Sequence, residues 1–335
     1  MLDGLRRPEF QGAQRIWVAL ENGKPAARLV ARLSPQLKDG QGRPYGLLGF
    51  FEALDRPAAV GRLFAEAVGW LREAGAGPIV GPMDGDTWHR YRINAGPFDE
   101  SPFLLEPYNP PYYACLWEDH GFEVLEKYYS KRVYAGDVAA FCAPRARAAL
   151  DAGYRLRTLD PARFEEELKV LYRLSRVIFA RNFLYTEIPE DELVALYAGS
   201  RAILDPGLVL FAHAPDGSPQ AGQEVGFLFA YPDRFRAVAA MRGGTGVLAK
   251  LRFLMHRNEI RAVDFKTLGV LPEHRRSGVA AALFHQGHQT ALDRGFPVAN
   301  HCLYKEGNPS GDLDGGAGRL LRTYHLYQLG ERADA

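Results

Sequence analysis

The chain of 335 residues reads as an α+β protein built twice: two domains, each a mixed, mostly antiparallel sheet flanked by helices. The length is about twice that of a typical domain. Strand-like and helix-like periods alternate along the chain rather than segregating. A strand–helix–strand unit also occurs in both halves. In the first half it is Tyr45–Leu54, a helix closing at Gly75, and Pro78–Gly81. In the second it is Ala262–Val270, a helix closing at Gly295, and Pro297–Leu303. Leu71-Arg72-Glu73-Ala74-Gly75 and Ala291-Leu292-Asp293-Arg294-Gly295 align at an offset of 220 (295 − 75), and each unit leads to an Asn-Pro pair, Asn109-Pro110 or Asn308-Pro309. The resulting division is a first domain over 1–135, a linker over 136–153 that is rich in Ala and Arg and read as partly helical, and a second domain over 154–335.

The elements follow from local chemistry. Arg15–Leu20 and Ala26–Leu33 flank Asn22-Gly23, a strong hairpin signal. Asp55 and Pro57 mark a helix start, and Val60, Leu63, Phe64, Ala67 and Leu71 recur at helical spacing behind them. A helix around Tyr112–His120 precedes Glu123–Tyr134, which alternates like an edge strand. In the second half Tyr154–Leu159 is a strand, and Asp160-Pro161 opens a long helix with Phe164, Leu168, Leu171, Ile178 and Phe179 on one face. A helix over 189–197, strands over 208–212 and 224–231, a short helix over 248–257 and a last strand over 322–329 complete the reading.

Composition sets the limits. Apolar residues make up 47% and charged residues 24%, ordinary for a globular protein. A net charge of +1, with both signs interspersed, predicts no nucleic-acid partner and no membrane partner. Three cysteines, Cys115, Cys142 and Cys302, show no C-x-x-C spacing, which predicts a reducing, cytoplasmic setting. Met1–Trp17 has no apolar signal core, and no run approaches the ~20 apolar residues of a membrane span. Either a monomer or a homodimer fits.

The segment Gly269-Val270-Leu271-Pro272-Glu273-His274-Arg275-Arg276-Ser277-Gly278-Val279-Ala280-Ala281 joins a strand to a helix. Consecutive amides at a helix N-terminus form an anion-binding concavity, and small residues let a ligand approach the backbone. With Arg275 and Arg276 beside it, this turn is built for a phosphate or pyrophosphate. The string resembles the GNAT acyltransferase signature (Q/R)-x-x-G-x-(G/A), here Arg275, Gly278 and Ala280. That resemblance implies acetyl-CoA or another acyl-CoA as cosubstrate, with its pyrophosphate on Arg275, Arg276, Ser277, Gly278, Val279, Ala280 and Ala281. It implies that the backbone of Leu268, Gly269 and Val270 pairs with pantetheine. Asn308 either contacts the pantetheine arm or serves only as a helix cap before Pro309.

At the offset of 220, Asp55 falls at the place of Arg275 and Ala58 at that of Gly278, so the first half resembles a truncated copy without the site. The stretch from Gly81 to Phe122 is similar to bacterial tandem GNAT proteins. The implied reaction is direct attack of an amine on the thioester, with a small-molecule or amino-acid-like amine as acceptor. The family's usual acid, a Tyr after the fifth strand, is missing from Asn308–Gly318, which leaves Tyr304, Tyr324 and Tyr327 as substitutes, or no protein acid at all. Candidate bases are Asp264 and His301. His285 with His288, and Asp312 with Asp314, fall short of metal sites. Trp88, His89, Tyr91, Arg92 and the run Tyr108–Tyr113 either wall an acceptor pocket or order the junction between halves. Two other readings stand beside the enzyme: a regulatory module that binds acyl-CoA without turnover, and an aminoacyl or peptidyl transferase of the Fem type.

Overall fold

The computed structural model describes residues 13–202 and 204–330. Residues 1–12, part of the segment read for a signal, lie outside that range. The first half runs β1 (Gln14–Glu21), β2 (Lys24–Lys38), β3 (Pro44–Ala53), α1 (Pro57–Glu73), β4 (Ile79–Gly81), β5 (Ile93–Gly96), α2 (Tyr113–Glu118) and β6 (Phe122–Tyr134). Helix α3 (Ala135–Asp151) leads to β7 (Arg155–Thr158), α4 (Phe164–Phe179), α5 (Glu190–Ala198), β8 (Val209–His213) and β9 (Glu224–Pro232). Then come α6 (Phe235–Ala240), α7 (Val247–His256), β10 (Ala262–Val270), α8 (Val279–Asp293), β11 (Val298–Lys305) and β12 (Arg319–Leu329).

One sheet takes up all of these strands, in the order β1-β2-β3-β4-β12-β6-β11-β10-β9-β8-β7, with β5 on the side of β12. Only β3–β4 and β10–β11 pair in parallel, so the sheet is mixed and mostly antiparallel as expected. The halves exchange their last strands. β12, from the end of the chain, lies against β4 of the first half, and β6 lies between β12 and β11 of the second. Strand β6 is therefore interior, not the edge strand its alternation suggested. Its polar positions are satisfied by charged and hydroxyl partners on neighbouring strands, for example Ser130 Oγ with Tyr324 OH at 3.0 Å.

The segment 136–153 is the helix α3. Val138, Cys142, Ala146 and Ala149 recur at three- and four-residue spacing and are buried, and this stripe packs on α8. Both faces of the second-half sheet are covered, which explains its nearly continuous apolar strands. Leu210, Leu228, Val263, Phe265 and Ala299 face α3 and α8. Val209, Phe211, Phe227, Phe229 and Tyr231 face α4, where Phe164, Leu168, Leu171 and Ile178 form the buried stripe. Each such side chain contributes about 1.5–3 kcal/mol by burial. In the first half α1 supplies Val60, Leu63, Phe64, Ala67 and Leu71 to a core that closes on Trp117 and Tyr327.

Candidate functional site

The chain turns from β10 into α8 through eight residues, 271–278. A 3-10 turn over Pro272–His274 is followed by Arg275 and then by Gly278, the N-cap of α8, at φ +84°. A non-glycine residue resists that conformation. A Cβ at Gly278 would also stand 2.8 Å from the Arg145 carbonyl of α3. Gly278 is thus required by the packing of α3 as well as by the turn. Arg275 donates from Nε to the Val270 carbonyl at 3.4 Å and from Nη2 to the Ile178 carbonyl at 3.2 Å, tying the turn to the end of α4. Ser277 Oγ donates to the His274 carbonyl at 2.7 Å and accepts from Val279 N at 3.3 Å. Buried His274 lies 2.7 Å from Tyr154 OH through Nδ1. Arg276 is exposed beside the start of α8, where the helix dipole favours an anion.

Strands β10 and β11 are hydrogen-bonded only from Ala262↔Val298 to Phe265↔His301. Beyond that point they diverge. β10 stays with β9 as far as Val270↔Gly226, skipping Lys266 in a bulge, while β11 stays with β6 through Lys305↔Tyr128. Among the described residues the edge of 266–270 that faces β11 thus has no strand partner, and it leads straight to the turn. Leu268, Gly269 and Val270 lie on it.

The first half diverges at the equivalent place and then closes. β3 pairs with β4 at Gly46↔Ile79 and Leu47↔Val80. The chain after β4 then continues along β3: Met83 N donates to the Leu48 carbonyl at 2.8 Å, and Phe50 N donates to Asp84 Oδ1 at 2.5 Å. A Cβ on Gly49 would run into the Met83 carbonyl. The registers also correct the uniform offset. Gly46 faces Ile79 as Val263 faces Ala299, so the first strands align at 217 (263 − 46) and the second at 220 (299 − 79). The link between strand and helix is residues 54–56 in the first half and 271–278 in the second, five residues longer. The stretch that carries Arg275 and Gly278 has no full counterpart. Asp55 does not cap α1 either: the N-cap is Arg56, and no side chain caps it.

The sequence-derived catalytic candidates divide between the two faces. Asp264 is fully buried on the α4 side, accepts from Asn300 Nδ2 at 2.8 Å through Oδ1, and has no hydrogen-bond partner at Oδ2. Burial, reinforced by Asp233, holds its pKa well above the ordinary carboxyl value. His301 points to the α8 side, where its Nε2 lies 3.0 Å from Nε2 of His288 among Phe265 and Phe284. Burial depresses both imidazoles, His288 to about 4. Adjacent strands therefore do not bring Asp264 and His301 together. Tyr304 lies past the divergence, half-buried, its ring 5.5 Å from Lys131 Nζ, and burial raises its pKa. The Asn308 side chain accepts from Ser310 N at 3.0 Å, so it fills the cap role.

Lys266 is the residue the sequence reading passed over. Burial lowers its pKa, and Cys302, Arg92, Asp264 and Glu106 are the charges and thiol that reach it. Among the described residues no hydrogen bond or ion pair is recorded for it. A signal was available: in Ala262–Val270 an alternating pattern puts a lone Lys two places from Asp264, on one face of an apolar strand. Nearby, Glu106 accepts from Tyr324 OH and from Phe103 N at 3.0 Å, and its Oε1 lies 3.4 Å from Arg322 Nη1. The Arg92 guanidinium lies over the rings of Tyr91 and Tyr128, at 3.7 and 4.2 Å. This polar group sits where β10 and β11 part, between the halves.

The aromatic run has a structural use. Asn109 exchanges hydrogen bonds with Asn94, Tyr113 OH accepts from Ala53 N at 2.9 Å, and Trp88 Nε1 donates to the Thr186 carbonyl at 2.9 Å across the halves. A shallow cleft opens there, lined by Phe51, Asp84, Arg92, Tyr108 and Asn109 among others. Asp86, His89 and Glu192 come within 4.8 Å of one another. His89 Nδ1 lies 3.0 Å from Asp86, which raises the imidazole pKa, so the group acts as an ionic tie between the halves. His285 and His288 are each bonded through Nδ1 to a backbone carbonyl, of Ala139 and Phe284.

No family model matches the chain. It is 27% identical over 241 residues to a bacterial ceramide synthase from Caulobacter vibrioides (strain NA1000 / CB15N), covering 70% of this chain and 61% of that protein. It is 22% identical over 274 residues to protein YghO of Escherichia coli (strain K12), covering 80% of this chain and 68% of that protein. The chain thus spans about three fifths of the length of the ceramide synthase. A solved structure titled a GCN5-related glucosamine N-acetyltransferase region, of a fungal multi-domain β-N-acetylglucosaminidase, matches with a TM-score of 0.52 at 13% identity, over 95% of this chain and 33% of that one. The chain has the GNAT fold, written twice along a single sheet.

Proposed function

We propose that the second half binds acetyl-CoA or a longer acyl-CoA and transfers the acyl group to the amine of a small-molecule or amino-acid-like acceptor. The single observation that carries this reading is the parting of β10 and β11 directly upstream of the Arg275–Ala281 turn. Pantetheine would pair with the free edge of 268–270, and the pyrophosphate would meet the first amides of α8 with Arg276 beside them. The thioester would then reach the parting point, next to Lys266 and Asp264. The acceptor nitrogen loses a proton, attacks the thioester carbon and forms the amide as the carbon–sulfur bond breaks. The departing thiolate takes a proton. Lys266, its pKa lowered by burial, is a closer base on this reading than His301, which faces the opposite side of the sheet. The ceramide synthase relative supports an N-acyl product, since a ceramide is an amide of a long-chain amino alcohol.

Thiol release from acyl-CoAs of two to sixteen carbons, scored against a panel of amines, tests the reading. Amine-dependent release that falls at least tenfold in Lys266→Met supports it. Acyl-CoA binding with no release for any amine would leave the regulatory module, a reading kept in view by the absence of Tyr from Asn308–Gly318.

A further inference from the structure

Between β9 and β10 the chain leaves the sheet for α6 and α7, and among the described residues most of the apolar face of α7 is exposed. Val247 is 86% exposed, Leu248 60%, Leu251 51%, Leu254 53% and Met255 64%. At 100° per residue these five fall within an arc of about 120° on one side of the helix. Buried Ala249 lies on the opposite side and holds α7 in place. Lys250 and Arg257 flank one margin of the apolar arc and Arg252 flanks the other. From Arg234 to Asn258 the sequence has six Lys or Arg and no Asp or Glu, although the whole chain carries only +1. Of these, Arg236 pairs with Glu259 at 4.0 Å. Among the described residues no ion pair is recorded for Arg242, Lys250, Arg252 or Arg257.

We propose that this helix pair docks on an anionic lipid surface, with the α7 arc in the acyl–headgroup boundary and the flanking cations at the lipid phosphates. An apolar stripe bordered on both sides by cations, on a helix too short to span a bilayer, is the pattern of an interfacial helix. The long stems of Lys250, Arg252 and Arg257 let their charges reach headgroups while the leucines enter the boundary. A protein partner binding by hydrophobic contact alone would not call for a collar of one charge sign. The bulk charge, which predicted no membrane partner, averages this patch with the rest of the surface. The helix pair joins β10 at Ala262, the end opposite the CoA turn. Asp233, at the start of this excursion, accepts from Leu104 N at 3.3 Å, which ties the base of the excursion to the first half. The inference does not depend on acyl transfer, because it concerns binding without substrate.

Co-sedimentation of the full chain with vesicles tests it. One set contains 30% phosphatidylglycerol in phosphatidylcholine, the other phosphatidylcholine alone. Binding to the anionic vesicles should exceed binding to the neutral ones at least tenfold, and fall at least tenfold from low to 1 M salt. Leu251→Glu/Leu254→Glu should abolish it with an unchanged thermal midpoint, since both side chains are exposed. Lys250→Glu/Arg252→Glu should weaken it at least tenfold. Equal sedimentation of wild type and both variants would overturn the proposal. So would a dimer in light scattering that Leu251→Glu/Leu254→Glu dissociates while no vesicle binds.

Discussion

The two copies part their central strands within one residue of the same register, yet only one leaves the parted edge open. In the first half Met83 and Asp84 continue the hydrogen-bonding of β3, and Gly49 is there because the Met83 carbonyl leaves no room for a side chain. In the second half Lys266–Val270 keep a free edge, and a link five residues longer carries the glycine and arginines that can meet an anion. The halves therefore differ in two ways, the length of the link and the chain that follows the second strand. The same fold yields a brace on one side and a candidate donor site on the other.

The comparison breaks most visibly at the two glycines. Gly49→Ala should cost about 3 kcal/mol or more in chemical denaturation, because a backbone carbonyl cannot yield. Gly269→Ala meets side-chain atoms of Ile178 and Phe227 at 3.0 to 3.1 Å, which can give by a few tenths of an ångström where a backbone carbonyl cannot, and should cost about 1 kcal/mol. Equal costs would remove the distinction between a plugged and a free divergence.

Acid should act chiefly on the second half. The folded pKa of His288 is depressed from 6.5 to about 4, and that of His301 falls in the same direction. A depressed pKa means that stability is present above pH 6.5 and lost as pH falls through 4. Roughly 3 kcal/mol should disappear between pH 7 and 4, and His288→Phe/His301→Phe should flatten that slope. A variant whose denaturation midpoint tracks wild type across this range would refute the assignment.

Asp264 has the opposite sign. Its raised pKa contributes stability at acid pH that is lost as pH rises through the folded value. Asp264→Asn should therefore match wild type most closely near pH 4 and become the more stable of the two as pH rises towards 8. An advantage that shrinks with rising pH would contradict the burial argument.

What was legible in the sequence was local. The turn Arg275–Ala281 is contiguous, so its glycine, small residues and arginines could be read together, and the paired strand–helix–strand units gave the fold class. The exchange of β12 and β6 was not legible, because it joins residues about 200 positions apart, such as Tyr327 and Val124. For the same reason β6 read as an edge strand. Helix α3 was legible only in part, because Pro144 and the arginines interrupt its pattern, although its buried stripe is regular. The matching of Asp55 to Arg275 failed because a uniform offset cannot show an insertion inside a turn. Lys266 and Asp264 were visible as one face of a strand, but only the bulge and the parting of β10 from β11 set Lys266 apart.

The central claim is that one half, not both, receives acyl-CoA. Titration calorimetry of the full chain with acetyl-CoA and palmitoyl-CoA, on wild type and Arg276→Glu, tests it most directly. Arg276 is exposed and its replacement leaves the packing of Gly278 against α3 intact, so the variant should keep the wild-type thermal midpoint. One site per chain, weakened at least tenfold by Arg276→Glu, is the predicted result. Two sites per chain, or one site indifferent to Arg276, would contradict the account.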